Sequence, residues 1–378
     1  MKKIILNVRR HYGEIDWILP ILYHLRRNYK IYTVFDSKFT FDNFKKNKTL
    51  YLIWKKINED FYILDFKKSF FFRLVNKLTN IFFLNKLLPD RTKQKINCGI
   101  FNINDIFKKF NINKKNLKFF FVSVVSLNNF STTIKNEILN CKIIRFPEST
   151  WLFPNRRLNK RMNIYNYKNQ TSDFYLFSHL NDKNFFFNND QAINKKSFLC
   201  GYPRYQKNWI NLIIKNNKKK SNNNFKIVVA TRKWEKNYLP FVDYKKSILD
   251  IMSFSKTIEN SKVFFKLHPH SHEEIEITKI LKNNRFTNWK IVYDHPMNLA
   301  KDANLCISMI TSVTFDFLSL NKPTIEFYHS KNLTLNERSK SAVHVVIEKN
   351  RKYKTIFKYY NLVKSAESYN DLIDINRQ

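Results

Sequence analysis

Three histidines at every second position could bind an anion, transfer a proton or hold a metal ion. His268, His270 and His272 follow the apolar letters KVFFKL and precede two glutamates. On a continuing strand the three imidazoles would share one face, a spacing suited to zinc or iron. Pro269 ends the strand, however, and the letters SHEE are typical of a capping box at a helix start. Only His268 is therefore predicted at the strand end, where it can donate a hydrogen bond to a phosphate or to a leaving group.

Hydroxyl side chains cluster after the apolar run NLCIS. Thr311, Ser312 and Thr314 can cap the start of a helix, where free backbone N–H groups and the helix dipole attract phosphate. Asp316 would lie one turn into that helix, a position suited to a ribose hydroxyl or to a structural hydrogen bond. The segment predicts a site for a phosphorylated ligand.

A third strand, FKIVVA, delivers Arg232 and Lys233, either of which can neutralise a diphosphate. Carboxyl ends of neighbouring parallel strands meet at one edge of a sheet, so these cations are predicted to converge with His268, Pro269 and the hydroxyl cluster. The chain has only 3 Gly, which excludes a Gly-rich phosphate loop. We interpret the three strand ends as a nucleotide-sugar donor site built from helix N-termini, hydroxyls and cations.

Short β-branched or aromatic runs alternate with helix-like segments, a rhythm typical of parallel sheets covered by helices. KIILNV, KIYTVFD, FYILDF, LKFFFVSVV and CKIIRF form a first series of strands. The rhythm resets after the polar letters NNKKKSNNN, where FKIVVAT begins a second series. We predict an α/β fold with two Rossmann-like domains and an interdomain cleft. The expected ranges are an acceptor domain over 1–205, a linker over 206–224, a donor domain over 225–335 and a helical tail over 336–378, for which packing back on the first domain is one option.

Two of these segments resemble motifs of bacterial surface-polysaccharide transferases with the GT-B fold. KLHPH is similar to their K-x-H-P strand end, and CISMITSVTFDFLSLNKPTIEFYH is similar to their hydroxyl pair followed by F-D and a K-P-x-x-x-Y strand. The group includes CDP-glycerol glycerophosphotransferases and capsule, sialic-acid and Kdo transferases. CGYPRYQ resembles the G-x-P-R segment that closes the first domain there and in UDP-sugar 2-epimerases.

The resemblance implies roles for individual residues. In the family the histidine and the hydroxyl pair bind the phosphates of the donor nucleotide, which points to His268, Thr311 and Ser312, with Asp316 following. The family often has T-D-Y-S-S where this chain has S-M-I-T-S, so the aspartate of that motif is absent here. The donor contacts carry over residue by residue, whereas the identity of the donor does not.

The acceptor is expected after the first predicted strand, where the letters RRHYGEID contain His11, Gly13, Glu14 and Asp16. An inverting transferase needs a general base to deprotonate the acceptor hydroxyl, and Glu14, Asp16 or His11 could serve. The alternative for Asp16 is a plain N-cap of the helix predicted over DWILPILYHLRR. Glu148, in the letters RFPEST after another strand, is a rival base whose alternative is loop structure.

The resemblance implies a metal-independent transferase without a cofactor. It would move a sugar or polyol phosphate from a nucleotide sugar or CDP-polyol to a glycan acceptor, either a surface polysaccharide such as a capsule or a lipid-linked chain. A UDP-sugar 2-epimerase shares the architecture and is the alternative enzyme. It needs a set of acidic and basic residues around the sugar that the sequence does not place.

The net charge of +38 indicates either an anionic partner or a composition dominated by Lys, Asn, Ile and Phe. A basic nucleic-acid-binding or membrane-surface protein is the alternative from another class. No helix-turn-helix, zinc-finger or RNA-recognition signature is present, so no specific nucleic-acid partner is expected. The segment 67–91 reads as a basic amphipathic helix that could contact an anionic membrane, or as an ordinary core-facing helix.

Cysteine usage and hydropathy bear on the compartment. The 4 Cys are scattered and none forms a C-x-x-C pair, so reduced thiols are expected. The first residues lack a signal-peptide core, and no run of about 18 apolar residues is present. We expect a cytoplasmic protein, with peripheral contact at the inner face of the cytoplasmic membrane through 67–91.

Overall fold

The fold is described from a computed structural model. The described residues are 1–9, 12–64, 103–123, 130–147, 172–180, 182–183, 195–215, 224–232, 234, 239–268, 273–329, 345–347 and 353–377. They form two separate parallel sheets flanked by helices, together with a short antiparallel pair. The α/β architecture with two Rossmann-like domains is confirmed, while the interdomain cleft and the domain limits stay predictions.

The first sheet has seven parallel strands in the order β3-β2-β1-β4-β5-β6-β7. Its strands are β1 (Lys2–Val8), β2 (Tyr29–Phe35), β3 (Asn58–Ile63), β4 (Leu117–Ser123), β5 (Lys142–Phe146), β6 (Phe174–Phe177) and β7 (Ser197–Leu199). Its helices are α1 (Tyr12–Leu25), α2 (Lys38–Lys46), α3 (Lys48–Ile57), α4 (Ile103–Lys109) and α5 (Phe130–Glu137). Alternate residues of β1 pack into different cores, Ile4 and Leu6 into one and Ile5 into the other. Burial on both faces explains why the inner strands β1 and β4 are mostly apolar.

The second sheet has six parallel strands in the order β10-β9-β8-β11-β12-β15. Its strands are β8 (Phe225–Ala230), β9 (Ser261–Lys266), β10 (Trp289–Val292), β11 (Leu305–Ser308), β12 (Thr324–Phe327) and β15 (Lys364–Ala366). Its helices are α7 (Phe241–Lys256), α8 (Glu273–Asn283), α9 (Pro296–Lys301) and α10 (Val313–Leu318). Strands β8, β9, β11 and β12 match the runs FKIVVA, KVFFKL, NLCIS and KPTIEFY of the sequence, and β9, β8 and β11 are neighbours in the sheet.

The tail completes the second sheet. Strands β13 (Val345–Ile347) and β14 (Tyr353–Thr355) pair with each other, α11 (Ile356–Tyr359) follows, and β15 then pairs with β12. Helix α12 (Tyr369–Arg377) buries Leu372 in the second core. Packing on the first domain, one option raised by the sequence, therefore does not apply to residues 353–377. The apolar face of α12 is covered by the second domain instead.

Helix α1 begins earlier than the sequence predicts, at Tyr12. Asp16 is consequently an interior residue and not the N-cap, which corrects that interpretation. Pro20 lies within the helix and lacks the N–H that would bond the carbonyl of Asp16 one turn earlier. The carboxylate of Glu14 lies in the first turn, where the helix dipole favours a negative charge.

The predicted linker contains ordered structure. After Gly201, whose φ of +66° is the left-handed conformation that glycine tolerates, come a 3₁₀ turn (Pro203–Tyr205) and helix α6 (Lys207–Lys215). Trp209 and Ile213 of α6 pack in a first-domain core that also holds Met297 of α9. The two domains thus share an apolar seam in which α6 is the common element.

Candidate functional site

The carboxyl ends of β8, β9 and β11 lie side by side at one edge of the second sheet. Ala230 of β8 pairs with Lys266 of β9 and with Ser308 of β11. Arg232, His268 and Ile310 each lie two residues beyond these paired positions, and Thr311 follows Ile310. The convergence predicted from the sequence is therefore present in the backbone. We refer to Thr231, Arg232, His268, Thr311 and Ser312 as the strand-end cluster.

Arg232 joins the ends of β8 and β11. Its Nη1 donates a hydrogen bond of 2.7 Å to the carbonyl of Ile310. Ile310 is fully buried and has a φ of 46°, in the left-handed region that β-branched residues rarely adopt. Such a conformation persists only where the surroundings hold it, and strained residues of this kind concentrate at functional sites. The Arg232 hydrogen bond is one of the contacts that holds this turn.

Glu273, the first residue of α8, joins the ends of β8 and β9. It is 1% exposed, and its Oε2 accepts hydrogen bonds from Thr231 Oγ1 at 2.8 Å and from the His268 backbone N–H at 3.4 Å. His268 itself is half-buried. A buried carboxylate that accepts from both strand ends fixes the separation between the segments that carry Arg232 and His268.

The hydroxyl-rich turn after β11 divides into an inner and an outer part. Thr314 is fully buried and donates to the carbonyl of Thr311 at 2.8 Å, so the 2.6 Å contact between Ser308 and Thr314 is donated by Ser308. Ser312 precedes α10, is half-buried, and makes no side-chain capping bond. Thr314 therefore supports the turn from inside. Thr311 is 8% exposed and its Oγ1 accepts from the Val313 backbone N–H at 3.4 Å, whereas Ser312 is half-buried and the more exposed of the three.

Asp316 points away from this turn and towards the first domain. One guanidinium nitrogen of Arg204, Nη2, lies 2.7 Å from Asp316 Oδ1 and 2.8 Å from Asp16 Oδ2. The other oxygen of Asp16 lies 3.0 Å from His295 Nε2. Because His295 Nδ1 accepts the Met297 N–H, the ring hydrogen is on Nε2 and is donated to Asp16.

The environments of the two aspartates push their pKa values in opposite directions. Burial disfavours the Asp16 carboxylate, but the charge of Arg204 and the hydrogen bond of His295 outweigh it and hold the pKa of Asp16 below its ordinary value. Burial, reinforced by the Asp16 carboxylate, raises the pKa of Asp316 in spite of Arg204. The pKa of Arg204 is raised, since the two carboxylates outweigh its burial.

A second contact between the domains lies nearby. Asp294 accepts from the backbone N–H of Thr49 at 3.1 Å, and Asn298 donates to Thr49 Oγ1 at 3.2 Å and to Asp294 at 2.6 Å. Burial opposes ionisation of Asp294, but these hydrogen bonds hold its pKa below the ordinary value. We call this contact and the Asp16–Arg204–Asp316–His295 group together the interdomain joint.

The acceptor-side candidates are partly described. Glu14 is fully buried and accepts from the Arg9 backbone N–H at 2.8 Å, and Gly13 is half-buried in the first turn of α1. Asp16 lies in the joint, with both oxygens bonded. The predicted residues that fall outside the described part of the chain are His11, Glu148, Lys233, Pro269, His270, His272 and the segment 67–91.

Sequence reasoning assigned no role to several buried charged residues. Arg204 lies in the letters CGYPRYQ, which resemble the segment that closes the first domain. A lone cationic side chain in that segment is the sequence signal that could have pointed to its role. Burial raises the pKa of Asp182 to about 8. Burial likewise raises the pKa of Glu326 to about 7, although Thr355 and Ser365 donate hydrogen bonds to it.

Two properties of the described residues bear on the metal and membrane alternatives. Within the described ranges, no group of three or more His, Cys, Asp or Glu side chains is placed to hold a metal ion. Among the helices that the structure describes, none combines the length and the apolar character needed to cross a membrane.

Comparison with known proteins gives similarity in structure but not in sequence. No protein-family model and no curated protein sequence matches the chain. A UDP-GlcNAc 2-epimerase from Neisseria meningitidis, bound to UDP-GlcNAc, matches 100% of this chain and 91% of its own, at 12% identity and a TM-score of 0.56. The MnaA protein of S. aureus, solved with UDP, matches 100% and 87%, at 10% identity and a TM-score of 0.53. The wall teichoic acid polymerase TagF matches 86% and 70%, at 12% identity and a TM-score of 0.45. At identities of 12% and 10%, the similarity to the two structures with TM-scores of 0.56 and 0.53 shows the fold alone.

Proposed function

We propose that the protein is an enzyme that acts on a nucleotide-activated sugar, and that it transfers the sugar or a polyol phosphate to a surface-glycan acceptor. The observation that carries the proposal is the strand-end cluster. It brings a guanidinium, an imidazole and two hydroxyls to one edge of a parallel sheet, the edge at which open α/β sheets bind their ligands. The fold similarity to proteins solved with UDP or UDP-GlcNAc supports a nucleotide-diphosphate ligand.

In this proposal the residues have separate tasks. Arg232 and His268 contact the diphosphate, and His268 also stabilises the charge that develops on the leaving phosphate. Thr311 and Ser312 donate hydrogen bonds to phosphate oxygens from the turn before α10. The joint occupies both oxygens of Asp16 and lowers its pKa, which disfavours Asp16 as the general base. His11, Glu14 and Glu148 remain the proposed bases.

The proposal is tested by titration calorimetry with UDP, CDP, CMP and UDP-GlcNAc, so that base preference names the donor class. We expect His268→Ala to weaken binding of the preferred nucleotide by about 10- to 100-fold, the value of one charge-assisted hydrogen bond. His24→Ala, on the exposed last turn of α1, is the matched control and should bind normally. Absence of binding by all four nucleotides, or unchanged affinity in His268→Ala, would contradict the site.

A second candidate function is C2 epimerisation of a UDP-sugar, because both solved structures with a TM-score above 0.5 described above are associated with UDP, one of them named as an epimerase. The two reactions differ in their products. Proton NMR of the protein with UDP-GlcNAc in D₂O separates them, since an epimerase exchanges the proton at C2 and forms the C2 epimer. A transferase leaves C2 unchanged and releases nucleotide only when a glycan acceptor is added.

A further inference from the structure

Arg204 occupies an unusual position in the chain. It lies in the 3₁₀ turn that connects the last strand of the first sheet to α6, and it is 7% exposed. Its Nη2 contacts Asp16 of α1, in the first domain, and Asp316 of α10, in the second domain. A single nitrogen atom therefore fixes the distance between one helix of each domain.

The two helices that Arg204 joins carry the proposed half-sites. Asp16 lies two residues after Glu14 on α1, and Asp316 lies four residues after Ser312, which precedes α10. His295, from the second domain, binds the remaining oxygen of Asp16, so the α1 carboxylate cannot rotate freely. Helix α1 is thus held through Asp16 by Arg204 and His295, and the same arginine also holds α10 through Asp316.

Stability alone does not explain such a group. A buried ion pair gains about as much from Coulomb attraction as its members lose by leaving water, and apolar replacements are often equally stable. What the group supplies is geometry, because both carboxylates must approach the same guanidinium nitrogen. Misplacement of reacting groups by about 1 Å can lower a rate by about 100-fold.

We propose that Arg204 is a positioning residue, which sets the acceptor-side helix α1 in register with the donor-side turn before α10. The expected effect on catalysis rests on the proposed function. The positioning of α1 and α10 by Arg204 does not rest on it. Arg204 touches neither substrate in this account. Its loss should leave each half-site able to bind and should impair the step that needs both.

The first test separates binding from turnover. In Arg204→Gln we expect nucleotide affinity within about twofold of the wild type and kcat reduced at least about tenfold, the signature of an interaction needed only for the reacting geometry. Arg204→Lys keeps the charge but loses the length and planarity of the guanidinium. Its kcat should therefore lie between those of the wild type and Arg204→Gln. Wild-type kcat in Arg204→Gln, or a loss of nucleotide affinity as large as the loss of kcat, would overturn the inference.

The second test requires no substrate. Spin labels at Leu139→Cys and Ile275→Cys, which replace exposed residues in the two domains, report the interdomain distance by pulsed electron resonance, with Cys98 and Cys200 changed to Ser. We expect a narrow distance distribution that broadens in Arg204→Gln and partly narrows again in Arg204→Lys. An unchanged distribution in Arg204→Gln would overturn the inference.

The two tests also separate the possible failures. If no nucleotide binds to the wild type but the distance distribution depends on Arg204, the proposed function fails and the positioning stands. If nucleotide binds and turns over normally in Arg204→Gln, the positioning fails and the proposed function stands.

Discussion

The strand-end cluster and the interdomain joint are both polar regions beside the second sheet, yet they differ in how their groups are used. In the joint, both oxygens of Asp16 are bonded, and the partners come from different domains. In the strand-end cluster the hydrogen bonds run between strand ends of one domain, and His268 and Ser312 stay half-exposed. The first region joins the two domains, and the second is the region that we propose as the ligand site.

The largest expected effect comes from breaking the joint at its centre. Arg204→Met leaves two buried carboxylates without their cation, and we expect the free energy of unfolding to fall by about 3–5 kcal/mol. The measurement is denaturant unfolding followed by circular dichroism. The triple variant Asp16→Asn, Arg204→Met, Asp316→Asn removes all three charges and should recover most of the loss. Equal stability of the single and triple variants would show that charge compensation is not the cause.

Glu326, a buried carboxylate that accepts hydrogen bonds from the hydroxyls of Thr355 and Ser365, sharpens the comparison through pH. Burial raises the folded-state pKa of Glu326 to about 7, above its ordinary value of 4.5. Below the lower value the group is protonated in both states. As pH rises from there to about 7, the unfolded state loses its proton first and stability falls by about 1.4 kcal/mol per pH unit.

Glu326→Gln should therefore remove this part of the pH dependence. We expect the variant to gain stability relative to the wild type between pH 5 and about 7 and to keep a constant advantage above that. Thermal unfolding measured over this pH range checks the prediction. A difference between the two proteins that does not change with pH would contradict it.

A smaller effect is expected inside the hydroxyl-rich turn. Thr314→Val keeps the shape of the side chain but removes the hydroxyl that bonds Thr311 and Ser308, and the unpaired partners should cost about 1–3 kcal/mol. Thr314→Ser retains the hydroxyl and is the matched control. Denaturant unfolding of both variants is the measurement, and unchanged stability of Thr314→Val would contradict a stabilising role for the hydroxyl.

The smallest effect on stability is expected at the strand-end cluster itself. His268→Ala removes a half-buried side chain without emptying a core position, so the free energy of unfolding should change by no more than about 0.5 kcal/mol. The same variant should lose nucleotide affinity. A loss of stability as large as that of Arg204→Met would erase the distinction between the two regions.

The sequence predicts the strand-end cluster well for a physical reason. Parallel strands buried on both faces appear as apolar runs, and the residues after them must meet at one edge. Arg232 and His268 could therefore be placed together without a structure. Thr314 was grouped with Ser312 by its letters, but only three-dimensional packing shows that one is internal and the other external.

The joint could not be predicted, because its members are far apart in sequence and come from different domains. From their neighbours along the chain, Asp16 is predicted as a general base or an N-cap, and Asp316 as a contact to a ribose or a structural residue. Each of these roles lies within one domain. Their shared partner, Arg204, depends on how the two domains meet, and local periodicity carries no information about that. The sequence also predicts the start of helix α1 too far along the chain, because Asp16 is a good N-cap residue and Pro20 is usual near a first turn.

The most direct measurement is hydrogen–deuterium exchange of the protein with and without the nucleotide that it prefers. We expect slower exchange in peptides that cover Thr231–Arg232, His268 and 309–314, with little change in the peptides of β3 at the far edge of the first sheet. Slower exchange confined to the first sheet, or no change at any of the three strand ends on saturation with nucleotide, would contradict it.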